Sequence, residues 1–288
     1  MTRRTDEPRR FRSEMRPGEV LAIEPQAIDF SYLYTDVMPT DYTEEGIAIV
    51  TINGPLEHHA TTEWDSYESI VARVEAAMSG EEVSKLFELS GEDVPPPVKA
   101  QAVILKIDSP GGEASGSSAC HRTLRRLRKK YNVPLYAYAD EMAASAAYSV
   151  ASACDEIWLP DTGQVGSIGV VATMYDRTKH NEKTGLTIEL LTSGEQKADN
   201  HADRVLTDAI RKRMRVRVMA LARVFFSTVA KARGTSPAAI ASLQAGVFTG
   251  QTAVDVGIAD GVCSWTQFLA YVASYINNGQ DVAKKSKD

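Results

Sequence analysis

Residues 141–154 read EMAASAAYSVASAC and hold three serines, Ser145, Ser149 and Ser152, at intervals of four and three. On a helix they form one stripe, which suits close packing of small side chains and by itself implies no chemistry. A serine hydroxyl becomes a nucleophile when donors hold the oxyanion it creates and a base takes its proton. Ser145 is the serine placed for that work. It follows the predicted strand PLYAYA (134–139) and stands at the mouth of a predicted helix, where sites of α/β folds gather. The next amide, that of Ala146, lies beside whatever Ser145 attacks. A second donor can come from DSPGG (108–112), another turn between a strand and a predicted helix. Its Gly111 and Gly112 allow positive φ and close backbone approach. That turn suits a phosphate, an oxyanion or a purely structural role. It is not a Walker loop, since no Gly-Lys-Ser/Thr follows at the required spacing.

Two residues are candidates for the base. His180 lies in the charge-rich YDRTKHNEKTG. Lys197 lies in LTSGEQKAD, a glycine-containing turn directly after a predicted strand. The other histidines, His58, His59, His121 and His201, show no ligand spacing, and the histidines as a set read as solvated. Cys120, Cys154 and Cys263 are widely separated and odd in number, which reads as free thiols. No metal site and no cofactor is implied.

The elements that must position these residues alternate between strand and helix. GIAIVTI (46–52), QAVILKI (101–107), PLYAYA, EIWLP (156–160), GSIGVVAT (166–173) and LTIELLT (186–192) read as strands. Helical spacing runs through 64–78, from the DSPGG turn to about Tyr131, through the serine-bearing segment, and from about Ala202 to Arg233. A shorter helix follows Ser236–Pro237, with serine as cap and proline in the first turn. This alternation predicts an α/β fold with a mostly parallel sheet in a single domain. Residues 1–45 read as an N-terminal arm of mixed charge, and 46–263 as the domain. Residues 79–97 read as an inserted loop with a short helix around 82–89, and 264–288 as a C-terminal helix with a frayed polar tail.

The chain has 288 residues, 43% hydrophobic and 24% charged, which fits a soluble globular protein with a substantial core. The net charge of −6, without a basic face, argues against nucleic acid as a partner. No apolar run approaches the ~18 residues of a membrane helix, and no signal peptide is recognisable.

Taken in order, DSPGG, EMAASAAY, GSIGV and SGEQKAD resemble the signal peptide peptidase A family of Ser-Lys peptidases. The resemblance runs from about Gly46 to Val262 and includes AGVFTGQTAVDVGIADGV (245–262). It implies a Clp-protease and crotonase type of fold with repeated β-β-α units. It also implies Ser145 as nucleophile, Lys197 as general base, Ser167 bonded to the lysine amine, and the Gly112 and Ala146 amides as oxyanion hole. Ala146–Ala147 stand where members of the family often have glycine. A neutral Lys197 amine is required near pH 7, although a lysine ordinarily titrates near ~10.4. Lowering it far enough costs about 4 kcal/mol, with burial as the expected source.

The absence of an anchor makes the chain most like the head-maturation proteases of tailed phages. These imply polypeptide substrates such as scaffold and capsid proteins, a homo-oligomeric ring, and a location in the host cytoplasm or procapsid. Signal-peptide degradation without an anchor, a crotonase-like acyl-CoA enzyme and a scaffolding role are the competing expectations. A triad of the Clp type fits poorly, because Gly169, Val170 and Val171 occupy the region of that relative's histidine.

Overall fold

The computed structural model describes residues 20–23, 40–59, 64–80 and 99–285, with backbone alone at 20–23 and 278–285. Most of the expected arm, and residues 81–97 of the expected insertion with its short helix, lie outside the described residues.

The main sheet runs in the order Val247–Thr249, Gln164–Gly166, Leu135–Ala144, Ala102–Ser109, Ile47–Asn53, Thr40–Tyr42. Its four central strands are parallel, and the two edge strands run antiparallel to them. Glu156–Leu159 adds a further parallel strand beside the first half of Leu135–Ala144. Short strands follow the long ones and form a second sheet, in the order Val171–Ala172, Val20–Ile23, Gly111–Glu113, Leu56–Glu57, Asp65–Ser66. A unit of long strand, short strand and helix therefore recurs. It is seen in Ile47–Asn53, Leu56–Glu57 and Tyr67–Ser79, and again in Ala102–Ser109, Gly111–Glu113 and Ser117–Tyr131. The result is an α/β fold of repeated β-β-α elements with a largely parallel sheet.

Period-two alternation decides which side chain faces which layer. Along Ala102–Ser109, Val103, Leu105 and Ile107 enter one core while Ala102 and Ile104 enter the other. Along Leu135–Ala144, Leu135, Ala137 and Ala139 join the first core and Tyr136 and Tyr138 the second. Both faces are thus covered, and a strand covered on both faces reads as a continuous apolar run. The second core is closed by the helix Trp265–Lys285, through Phe268, Val272 and Ile276. This helix continues to Lys285, through the segment whose polarity suggested fraying.

Helix starts follow their caps. Ser66, Thr207 and Ser236 accept from the amides of Ser69, Ile210 and Ala239 at 3.1, 3.3 and 3.1 Å. Three expected elements differ. The strand that begins at Leu135 extends through Glu141–Ala144, and only Ala146–Ala151 is helical, so the serine-bearing segment is half strand. GSIGVVAT divides into the short strands Gln164–Gly166 and Val171–Ala172. LTIELLT forms no strand, and Leu191 within it is 88% exposed. Its alternation suits a sheet edge, but among the described residues no strand lies against it.

Phe268 is fully buried and stacks on Tyr138 with ring centroids 5.2 Å apart. Phe268→Ala is expected to cost about 3–5 kcal/mol. In urea unfolding this appears as a lower midpoint with an unchanged slope.

Candidate active site

Ser145 sits on the one-residue junction between Leu135–Ala144 and Ala146–Ala151, and it is 1% exposed. Its backbone takes φ 53°, ψ −119°. A residue with a Cβ adopts that conformation only under strain. Gly250 takes nearly the same angles, φ 48°, ψ −125°, at the start of another helix. There the residue is glycine, as the backbone prefers. At 145 the strain is kept and a hydroxyl is gained, as in the sharp strand-to-helix turns that expose a nucleophile. Among the described residues the Ser145 Oγ has no hydrogen-bond partner, although it is buried. A buried hydroxyl without a partner is costly, which is the condition of a group waiting for one.

The neighbouring strand holds the junction. Ala144 is in register with Gly166, and the Ser145 N–H donates to the Gly166 carbonyl at 2.8 Å. Ser167 follows directly, so the structure brings Ser145 and Ser167 to the same edge of adjacent parallel strands. Ser167 is also buried, and its φ of 49° is likewise left-handed. Its N–H donates to the Gly246 carbonyl at 2.8 Å. Gly246 directly precedes the edge strand Val247–Thr249. The segment 245–262 thereby supports Ser167 from one side. It also braces the short helix from below: the buried Tyr148 hydroxyl donates to the Ile258 carbonyl at 2.8 Å. Arg233 holds Asp260 through bonds of 2.7 and 2.9 Å, and Asp260 accepts from the Ile157 amide at 2.7 Å.

Ala146 is the first residue of its helix, so its amide has no partner within the helix. The helix packs against Gly111–Glu113, the strand that carries Gly112. Gly112 does not open a helix as the sequence suggested. It lies in a short strand, and the next helix begins at Ser117. The reason is pairing: Gly112 is opposite Leu56 on one side and Ala22 on the other. A Cβ on Gly112 would stand 1.9 Å from the Leu56 carbonyl oxygen, so glycine is demanded by close approach of backbone. Asp108, at the start of the same motif, accepts from the Met142 amide. Burial, then the nearby Glu141 and Asp140, push its carboxyl above the usual range.

Lys197 is not joined to this group. It is exposed, in a turn closed by its N–H to the Gly194 carbonyl at 3.1 Å. That turn is pinned to the long helix Asp208–Ala232. Arg213 grips the Asp199 carboxylate at 2.6 and 2.9 Å, and Arg204 reaches it at 3.3 Å. Hydrogen bonds from Arg213 hold the Asp199 carboxyl below its usual range. Asp199 and Arg213 were not recognised from sequence. Their one trace is an acid two residues beyond Lys197, and its arginine partner is fourteen positions further on.

The Ser149 Oγ is, like that of Ser145, buried without a partner among the described residues, but Ser149 lies inside the helix with no positive φ, and its carbonyl and Ser152 take structural roles. The Ser152 Oγ donates to the Ser149 carbonyl at 2.8 Å. The His121 Nδ1 lies 2.9 Å from that carbonyl and 3.2 Å from the Ser152 Oγ. His121 therefore corrects the expectation of solvated histidines: it is buried, and burial pulls its imidazole below the ordinary value. His180 is exposed and away from any such contact with Ser145, whose Oγ is unpartnered.

A family model described as Peptidase family S49 matches residues 127–277, which include Ser145, Ser167 and Lys197 but not Gly112. The chain is similar to the head-tail preconnector protein GP5 of Enterobacteria phage P21, with 31% identity over 238 residues, 81% of this chain and 44% of that protein. It is also similar to the capsid assembly protease C of Escherichia phage lambda, with 27% identity over 247 residues, 84% of this chain and 51% of that protein. The chain thus spans about half the length of these two relatives. A ClpP1 variant from Listeria monocytogenes is a distant likeness in backbone shape, with TM-score 0.41 and 12% identity over 75% of this chain and 91% of that one. No helix among the described residues is long and apolar enough to cross a membrane.

Glycine relieves the backbone strain at position 145. Ser145→Gly is expected to stabilise the fold by about 1 kcal/mol and raise Tm. An unchanged or lowered Tm would mean that the turn carries no strain.

Proposed function

Since the chain belongs to peptidase family S49, we propose that it is a serine endopeptidase whose nucleophile is Ser145 and whose general base is Lys197. The observation that carries this reading is Ser145 itself, a buried hydroxyl without a partner, held in left-handed backbone where glycine would be more comfortable. In this reading the Ser145 Oγ attacks the scissile carbonyl and passes its proton to the Lys197 amine. The amides of Ala146 and Gly112 hold the oxyanion. The amine returns the proton to the leaving nitrogen, and a water activated by the same amine releases the acyl-enzyme. Ser167, one strand away from Ser145, orients the amine by hydrogen bonding. The fold is read as the Clp-protease and crotonase type.

The two members of the dyad belong to different copies of the chain. Lys197 is exposed and, among the described residues, the Ser145 Oγ is unpartnered, which supports a pair assembled between copies. The excursion that carries Lys197 also exposes Tyr175, Leu186, Ile188 and Leu191. The long helix behind it exposes Val216, Met219 and Val224. Apolar surface of this kind favours a partner, and a head-to-tail contact repeated around an axis closes a ring. Seating the excursion over a neighbour's Ser145 would desolvate the Lys197 amine, which is what makes it neutral and basic enough to act. Ala143, Ala144, Ala146 and Ala147 are fully buried and supply apolar surroundings on the Ser145 side.

Likeness to a capsid assembly protease and a preconnector protein of two phages supports scaffold and capsid polypeptides as substrates. Action in the host cytoplasm or inside the procapsid follows from those substrates. Mass spectrometry of scaffold and capsid proteins incubated with the chain tests this. Wild type is expected to cut at defined bonds, and Ser145→Ala and Lys197→Ala are each expected to lose at least about 1,000-fold in rate. Full cleavage by Ser145→Ala would remove the nucleophile assignment. Rapid cleavage by a species that sediments as a monomer would remove the shared site.

A further inference from the structure

The helix that opens after Ser145 is too short to hold itself. Ala146–Ala151 has six residues, about 9 Å of helix, and an isolated helix of that length does not persist in water. Its position has to be set from outside. Toward Ser145, the Ser149 N–H donates to the Ser145 carbonyl at 3.1 Å and closes the first turn on the proposed nucleophile. On the far side, a longer helix would offer the Ser149 carbonyl the Ala153 N–H. That amide donates to the Val150 carbonyl at 3.0 Å instead. Two side chains take its place at the Ser149 carbonyl, the Ser152 Oγ at 2.8 Å and the His121 Nδ1 at 2.9 Å.

Ser152 caps the same helix and moves with it. His121 does not. It belongs to Ser117–Tyr131, which follows the strand Gly111–Glu113 and packs against the helix Tyr67–Ser79. Ala146–Ala151 lies against both Ser117–Tyr131 and Gly111–Glu113. The His121 bond therefore ties the element that carries the Ala146 amide to the unit that carries the Gly112 amide. The state of the ring follows from its partners. A carbonyl only accepts, so Nδ1 bears the proton and donates to it. The Ser152 hydroxyl directs its own proton to the same carbonyl and can only accept from Nδ1, at 3.2 Å. Burial, opposed by the bond to Ser149 and reinforced by Arg125 and Arg122, keeps the ring neutral at pH 7. His121 bonds to Ser149 and Ser152, while the Ser145 Oγ has no partner among the described residues, so any effect on the chemistry passes through the helix.

We infer that His121 is a positioning residue of the proposed peptidase: its Nδ1–H, through the Ser149 carbonyl, fixes the helix whose first amide holds the oxyanion and whose first turn holds Ser145. The inference rests on the Ser145 peptidase reading above. Oxyanion donors work over a narrow range of distance, so a displacement of about 1 Å is enough to cost on the order of 100-fold in rate. The loss falls on kcat and leaves KM in place, because the oxyanion forms only after substrate has bound.

Full-length wild type is compared with His121→Asn, His121→Gln and His121→Leu, with Ser145→Ala as the blank and β-casein as the substrate. The Asn side-chain nitrogen superimposes on Nδ1, the Gln nitrogen superimposes on Nε2, and Leu fills similar space without a donor. The measurements are kcat, KM, Tm and hydrogen exchange of the Ser149 amide. His121→Asn is expected to keep kcat within about threefold of wild type, while His121→Gln and His121→Leu lose roughly 10- to 100-fold with KM unchanged. The Ser149 amide is expected to exchange faster in His121→Gln and His121→Leu and at the wild-type rate in His121→Asn. A histidine that only supports the fold would change Tm and leave kcat alone. If His121→Leu does not fold, the contrast between Asn and Gln decides. Equal kcat in those two variants, whether both are high or both low, overturns the positioning role and leaves the peptidase reading standing wherever casein cleavage depends on Ser145. If wild type leaves casein whole, or Ser145→Ala cuts it as fast as wild type, the peptidase reading falls and the positioning role falls with it.

Discussion

One main-chain hydrogen bond, from the Ser145 N–H to the Gly166 carbonyl, organises the active edge of the sheet. It ties the end of one parallel strand to the end of the next, so the turn at Ser145 and the turn at Ser167 are fixed together. Both serines take left-handed backbone that costs free energy, and each is held there by an amide donating to a neighbouring strand. The packing behind them resists relaxation. Tyr148 is anchored to Ile258, and the segment 245–262 is locked by Arg233 and Asp260. The stretch from Arg233 to Val262 thus contributes no proposed reacting group and still sets the geometry of two of them.

The same rigidity does not extend to the segment that carries Lys197. It leaves the sheet after Val171–Ala172, holds a short helix at Thr178–Thr184, and returns to the long helix as largely exposed chain. Near Lys197 it is attached to the long helix through the Asp199–Arg213 ion pair, whose two parallel bonds fix the turn in direction as well as position. A rigid nucleophile and a base on an exposed, apolar, firmly anchored arm make sense together when the arm reaches a second copy. In the proposed reading the reaction is then a property of the assembly and not of a lone chain.

Much of this was legible in the sequence. The β-branched runs at 46–52 and 101–107 read as strands because both of their faces are buried, and the caps at Ser66, Thr207 and Ser236 act locally. The placement of Ser145 at a strand-to-helix junction was legible for the same reason. What escaped depends on partners far along the chain. Glu141–Ala144 looked helical because alanine favours helix, and it is strand because Gln164–Gly166 pairs with it. LTIELLT looked like strand because of its alternation, and among the described residues it has no neighbouring strand to pair with. Gly112 looked like the mouth of a helix, but a carbonyl at Leu56, remote in sequence, makes it a strand residue. His121 looked like one more surface histidine until the fold laid it on Ser149 and Ser152.

Whether the dyad is shared between copies is tested most directly by mixing two inactive chains. Ser145→Ala keeps Lys197, and Lys197→Ala keeps Ser145. Each is unfolded and the two are refolded together in equal amounts, with exchange confirmed by native mass spectrometry. In a repeating head-to-tail contact about one site in four then receives both intact residues. Peptidase activity near a quarter of the wild-type value is the predicted result. Mixed assemblies without activity, beside a wild type that cleaves its substrate, would contradict a site built from two copies.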